Sequence, residues 1–142
     1  IYQGVNSRLD EIQAAMLRVK LHYLDHQTKQ RQHIAQTYLQ QIHHPMIQLP
    51  DAGLDQQHVW HLFVIRCAER EKLQQYLTHR GIQTSIHYPI APHQQQAYPN
   101  FNHLSLPMTE SIHREVLSLP LSPVMTSEMV EKVVAACCEF VG

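Results

Sequence analysis

Apolar residues recur along the first two dozen positions in two helical phases at once. Leu9, Ile12, Met16, Val19 and Tyr23 follow a 3-4-3-4 spacing, and Ala14, Leu17, Leu21 and Leu24 form a second stripe beside them. A helix lying on a core needs one stripe. Two predict a helix wedged between layers, some of which belong to other chain segments or to another subunit. Ser7 is placed to cap this helix, with Asp10 three residues on and Glu11 beside it, charges that suit the positive helix end. Asn6 then falls just outside the helix start, beside backbone N–H groups that favour anions.

Residues 25–33 carry no large apolar side chain and no Gly or Pro, so the helix can continue through them as a solvated arm. The apolar face returns at Ile34, Tyr38 and Ile42, with Ala35 and Leu39 alongside, and Pro45 ends the run. The pattern is one long helix, or two in series with a bend near Leu24. A short strand is predicted at 47–49, before the turn chemistry of Pro50-Asp51-Ala52-Gly53. Residues 59–66 make the strongest strand, rich in β-branched and aromatic residues and nearly continuous, as in a strand covered on both faces.

Residues 69–80 read as a helix with Leu73, Tyr76 and Leu77 inward, stopped by a left-handed Gly81. Residues 82–88 alternate as a half-buried strand. Strand, helix and strand at this spacing predict a βαβ unit with parallel strands. A long loop with four prolines follows over 88–107, with a helical turn near 94–97; loops of this length are commonly functional. A helix over 108–116, a strand over 117–120 and a last helix capped at Thr126 or Ser127 complete the chain, with Met129, Val130, Val133, Val134, Cys137 and Phe140 inward. The expected class is α/β (α+β): a helical arm over 1–44 and a small α/β domain over 45–142.

Composition changes this picture little. Apolar residues make up 44% and charged residues 16% of the 142 positions, a globular balance. The net charge of −1 excludes an electrostatic footprint for nucleic acid. No apolar run reaches membrane-spanning length, the start does not read as a signal peptide, and three cysteines do not make a disulfide framework. A reducing, cytoplasmic setting is therefore expected, without a nucleic-acid or membrane partner. The first residue is not Met, and the chain reads as though it begins in the middle of something.

The 12 histidines raise the question of metal. His22 and His26 have helical ligand spacing, but nothing supplies a third ligand, and His43-His44 and His58-x-x-His61 are equally incomplete. A solvated His- and Gln-rich surface explains them better, and no metal is expected. Cys137 and Cys138 are adjacent on a helix and must point apart, which fits packing rather than redox work. No phosphate loop, nucleophile elbow or paired-carboxylate motif is present. Two segments are odd for plain packing: Asn6-Ser7-Arg8, and Thr84-Ser85-Ile86-His87-Tyr88-Pro89, where polar groups end a strand and enter the proline loop.

Five segments in order carry a resemblance. They are Gly4-x-Asn6-Ser7-Arg8-Leu9-Asp10-Glu11-Ile12-Gln13-Ala14-Ala15, His61-Leu62-Phe63-Val64-Ile65-Arg66, Gly81-Ile82-Gln83-Thr84, His87-Tyr88-Pro89-Ile90, and Leu117-Ser118-Leu119-Pro120-Leu121 with Thr126-Ser127-Glu128. Together the chain resembles the C-terminal part of DegT/StrS-type sugar aminotransferases, fold-type-I enzymes that use pyridoxal phosphate (PLP). The resemblance implies that Asn6 contacts the cofactor phosphate of a neighbouring subunit. It also implies that His87, Tyr88 and His93 lie at the nucleotide-sugar site. The implied reaction moves an amino group from glutamate to a keto group of a nucleotide-linked deoxysugar, with a lysine holding the cofactor as a Schiff base. The wording His87-Tyr88-Pro89-Ile90-Ala91-Pro92-His93-Gln94 is similar to enzymes that aminate C3 of dTDP-3-keto-6-deoxyhexoses.

The family's lysine, the acidic partner of the pyridine nitrogen and most of the phosphate cup have no match here. Lys20, Lys29, Lys72 and Lys132 sit in predicted helices without the family's lysine motif. The chain is therefore expected to be a C-terminal fragment, without catalytic residues of its own and without tightly bound PLP, in a homodimeric parent enzyme. The alternative is a stand-alone α/β binding or dimerisation module.

Overall fold

In the computed structural model, which describes residues 4–6, 8–53 and 58–142, a two-part helical arm leads into a small α/β layer. Helix α1 spans Glu11–Leu21 and α2 spans Leu24–Gln41. The two are in series, the second of the two expected arrangements: His22 and Tyr23 donate to the Val19 and Lys20 carbonyls at 3.3 and 3.0 Å, which tightens the last turn of α1 and closes it. Ser7, expected as the cap, lies outside the described residues. The helix begins later than expected, and its cap is Asp10, whose Oδ1 accepts the Gln13 N–H at 2.7 Å.

The two halves of the arm differ in burial. No α1 side chain is buried. On α2, by contrast, Ile34, Ala35 and Tyr38 enter the core, followed by Ile42 beyond the helix end. The core therefore runs back into the arm and joins α2 to strand β1 (Phe63–Arg66), helix α3 (Arg70–His79), strand β2 (Val116–Leu119) and helix α5 (Ser127–Cys138). Tyr38 packs edge-on against Phe63 at 5.1 Å and donates its hydroxyl to the Pro120 carbonyl at 2.9 Å, so its one polar group is satisfied inside.

The sheet departs from expectation in two ways. The strand predicted over 59–66 is only four residues long, because Trp60 takes a left-handed φ of 51° and donates its N–H to His58 Nδ1 at 2.9 Å. Its burial alternates, whereas β2 is buried at every position and is the strand covered on both faces. The βαβ expectation is corrected in adjacency but not in direction. β1 pairs antiparallel with β2, and Ser85 forms an antiparallel bridge with Ser118 of β2. Both therefore run the same way, with β2 between them. Ser118 spends its N–H and carbonyl on Ser85 at 2.8 and 3.2 Å, so its bonds point away from β1. The predicted strand at 47–49 reduces to one bridge, Gln48 with Arg66.

Gly81 ends α3 at φ 72°, as read. The proline loop holds two short 3-10 turns, Pro92–Gln94 and Pro99–Phe101, in place of the turn expected at 94–97. Helix α4 (Pro107–Glu115) then runs directly into β2. Thr126 caps α5 through Met129 N, and Val130, Val133, Cys137 and Phe140 face inward; Met129, expected inward, is 55% exposed. Among the described residues no His/Cys/Asp/Glu cluster is placed to hold a metal, and no helix is long and apolar enough to cross a membrane.

Candidate functional site

The residues singled out in the sequence fall into two places. At the chain start, Asn6 is exposed, and its Oδ1 accepts from Arg8 Nε at 2.7 Å. Arg has only donors, so this bond fixes the amide: the oxygen faces Arg8 and the NH₂ turns outward. At the helix end beside Asn6, one of the first-turn amides is already taken by a carboxylate. Asp10 already occupies Gln13 N, and Gln13 Oε1 in turn accepts the Leu9 N–H at 3.1 Å, a reciprocal cap with a carboxylate at its centre. What Asn6 and Arg8 present is a pair of exposed side-chain donors, one neutral and one cationic. That donor set suits phosphate oxygens.

The second place is where the Ser85 bridge leads into the proline loop. His87 Nδ1 lies 2.9 Å from Oγ of Ser118, a buried polar residue on β2, which fixes the ring plane and leaves Nε2 for other partners. Tyr88 follows through a cis peptide; its ring stands edge-on to His87 at 5.5 Å and is 65% exposed. The structure thus brings His87 and Tyr88 together. His93 does not join them at the surface. It is 5% exposed and turned under the loop, where Nε2 meets Glu110 Oε1 at 3.2 Å. The same Glu110 oxygen accepts the Leu106 N–H at 2.9 Å. These two bonds, the backbone one first, hold the Glu110 carboxyl below its ordinary range.

Around His93, Tyr98, Phe101, Leu104 and Leu106 line an apolar cleft of about 570 Å³. Glu110 and His113, whose Nδ1 lies 2.6 Å from the Tyr88 carbonyl, were not found by sequence reasoning. Their partners are 17 and 25 residues away, beyond any local spacing rule.

A two-part helical arm on a small layer whose central strand is flanked by antiparallel partners is the architecture of the matching part of solved fold-type-I sugar aminotransferases. The chain superposes on Streptomyces venezuelae DesV, solved in complex with a ketimine intermediate, with a TM-score of 0.87 and 40% identity, over 99% of this chain and 39% of that one. On Bacillus subtilis NtdA, solved with bound cofactor PMP, the TM-score is 0.81 at 34% identity, over 96% of this chain and 33% of that one.

The chain belongs to the DegT/DnrJ/EryC1/StrS aminotransferase family, whose model matches residues 1–137. It is 55% identical over 136 residues to the dTDP-3-amino-3,6-dideoxy-alpha-D-galactopyranose transaminase of Aneurinibacillus thermoaerophilus, covering 96% of this chain and 38% of that protein. It is 41% identical over 141 residues to the dTDP-3-amino-3,4,6-trideoxy-alpha-D-glucose transaminase of Streptomyces venezuelae, covering 97% and 37%. The chain thus spans less than two fifths of the length of these relatives.

Proposed function

We propose that this chain forms the small-domain part of a PLP-dependent aminotransferase that moves an amino group from glutamate to the C3 keto group of a dTDP-linked 6-deoxyhexose. The observation that carries the reading is the 55% identity, over 96% of the chain, to a transaminase named for a dTDP-3-amino sugar. A second such relative, at 41%, supports carbon 3.

The chain's own residues divide the work. The outward amide of Asn6 and the Arg8 guanidinium fit the cofactor phosphate as donors, contributed across a homodimer interface. His87, braced by Ser118, and the exposed Tyr88 bind and orient the nucleotide sugar through Nε2 and the phenol. His93 acts on them through the loop it holds. Bound, PLP supplies the electron sink for the amino transfer.

The lysine that carries the cofactor comes from outside these residues. Such a lysine needs desolvation or a cationic neighbour, but Lys20, Lys29, Lys72 and Lys132 all lie exposed on helices, and Lys72 pairs with Glu69 at 2.8 Å. Two measurements test the reading. Treating the purified chain with PLP and borohydride should leave no lysine stoichiometrically modified. Grafting the chain in place of its counterpart in the Aneurinibacillus enzyme should give a PLP-loaded chimera that aminates the 3-keto sugar far faster than a 4-keto one. A loaded, folded chimera that aminates neither sinks the proposal.

A further inference from the structure

The His87–His93 turn has little backbone pairing of its own beyond Ser85, yet it carries the side chains assigned above to the nucleotide sugar. Its bracing comes from α4. His113 Nδ1 donates to the Tyr88 carbonyl at 2.6 Å, at the start of the turn. Glu110 Oε1 accepts from His93 Nε2 at 3.2 Å, at its end, and from Leu106 N at 2.9 Å, where the loop re-enters the helix. Glu110 and His113 are three residues apart, hence neighbours on one face of α4.

The helix that carries them is itself fixed. Arg70 Nη1 of α3 donates to the His113 carbonyl at 2.8 Å, and Glu115 accepts both Nε and Nη2 of Arg66, on β1, at 3.0 and 2.7 Å. α4 therefore acts as a rail joined to the core at one end of its length and holding the loop along the other.

The bonds also fix proton positions. A carbonyl only accepts, so His113 must carry its proton on Nδ1, the less favoured tautomer of a free imidazole. A carboxylate only accepts, so His93 carries its proton on Nε2. In that tautomer its buried Nδ1, which has no partner among the described residues, is a bare lone pair and not an orphaned N–H.

We propose that Glu110 and His113 are positioning residues, which set the nucleotide-sugar contacts of His87 and Tyr88 by clamping the turn at both ends. The inference rests on the reading of His87 and Tyr88 given under Proposed function, so it is tested at two levels. In the chimera, His113→Leu should raise KM for the nucleotide sugar roughly 10- to 100-fold, the scale of a small misplacement of a binding group. Turnover and the KM for glutamate should stay within about 2-fold, as expected when only uniform substrate binding is lost. His113→Asn, whose amide N–H stands in for Nδ1–H, should restore most of the loss. An unchanged KM, or an Asn variant as impaired as Leu, overturns the proposal.

The isolated chain provides the level that needs no substrate. Imidazole ¹⁵N shifts should report Nδ1–H on His113 and Nε2–H on His93. Backbone order at Tyr88 and Ile90 should fall from about 0.85 to below about 0.6 in His113→Leu and Glu110→Ala, with the sheet unchanged. The opposite tautomer on His113, or unchanged order, overturns the clamp. A chimera that fails while these signatures hold faults the functional reading and leaves the clamp supported.

Discussion

Glu115 and Glu110 share a helix and serve different ends: Glu110 holds the loop, and Glu115 ties α4 to the sheet. The Ser111 hydroxyl donates to Glu115 Oε1 at 2.6 Å, while the Arg66 guanidinium donates to Oε2. These bonds, Ser111 first, hold the Glu115 carboxyl below its ordinary range. Because the folded-state value is depressed, the stabilisation is present above the unfolded value, about 4.3. It is lost as pH falls through the folded one. Glu115→Gln should therefore cost about 1 kcal/mol near neutrality, the pair being part-exposed. The gap in melting temperature between variant and wild type should close in acid; a gap that persists undiminished to the lowest pH at which the chain folds would refute the assignment. Thiols give a second check. Burial pushes the Cys137 thiol up to about 12 and raises Cys67, whereas Cys138 is exposed beside the Gln41 carbonyl at 3.4 Å. A thiol reagent at mildly alkaline pH should modify Cys138 alone in the native chain and all three cysteines in denaturant.

Among the elements, α5 starts at a side-chain cap, and Thr126→Ala should lower stability by about 1 kcal/mol, read from a denaturant midpoint shift at constant slope. Its legibility is local: a cap, an acidic residue in the first turn and apolar residues at helical spacing all fall within a few positions. α3 and its Gly81 stop were legible for the same reason. The sheet was less so, because a long apolar run over 59–66 cannot reveal that Trp60 turns left-handed, or that β2, far along the chain, inserts between the two segments that sandwich α3 in sequence. Burial of Ser118 is a tertiary outcome that no pattern of its neighbours encodes. The same division runs through the candidate site. His87 and Tyr88 stand out because polar groups end a strand and enter a proline loop. Burial of His93, and the α4 residues that hold it, depend on bonds spanning 17 and 25 residues. Asn6 was legible as an oddity, but its setting was not, since Asp10 caps the helix and takes up the Gln13 amide that an anion would have used.

At the scale of the molecule, the arm poses the question that the rest of the fold does not answer. Its second half is anchored by Ile34, Tyr38 and Ile42, which are at most 5% exposed, while along its first half Leu9, Ile12, Met16, Val19 and Leu21 are 60–70% exposed. Both stripes read from the sequence are bare: α1 has no buried residue, and Leu9, Tyr23 and Leu24 beyond its ends are exposed. Scattered exposed apolar side chains are ordinary, but a contiguous set on one helix marks a surface that something covers. Each such side chain gains about 1.5–3 kcal/mol when fully buried. A few of them buried symmetrically in a two-fold pairing of α1 would offset the cost of association at micromolar protein, within the homodimer proposed above. Sedimentation velocity over a wide concentration range should accordingly show a concentration-dependent dimer. Ile12→Glu with Met16→Lys should shift it to monomer and leave the melting transition unmoved at concentrations where the wild type is itself monomeric, since neither residue touches the core that α2 begins. If the wild-type chain stays strictly monomeric at high concentration, α1 does not pair with itself. If the double variant still dimerises, the contact lies elsewhere, and the spare stripes need another explanation.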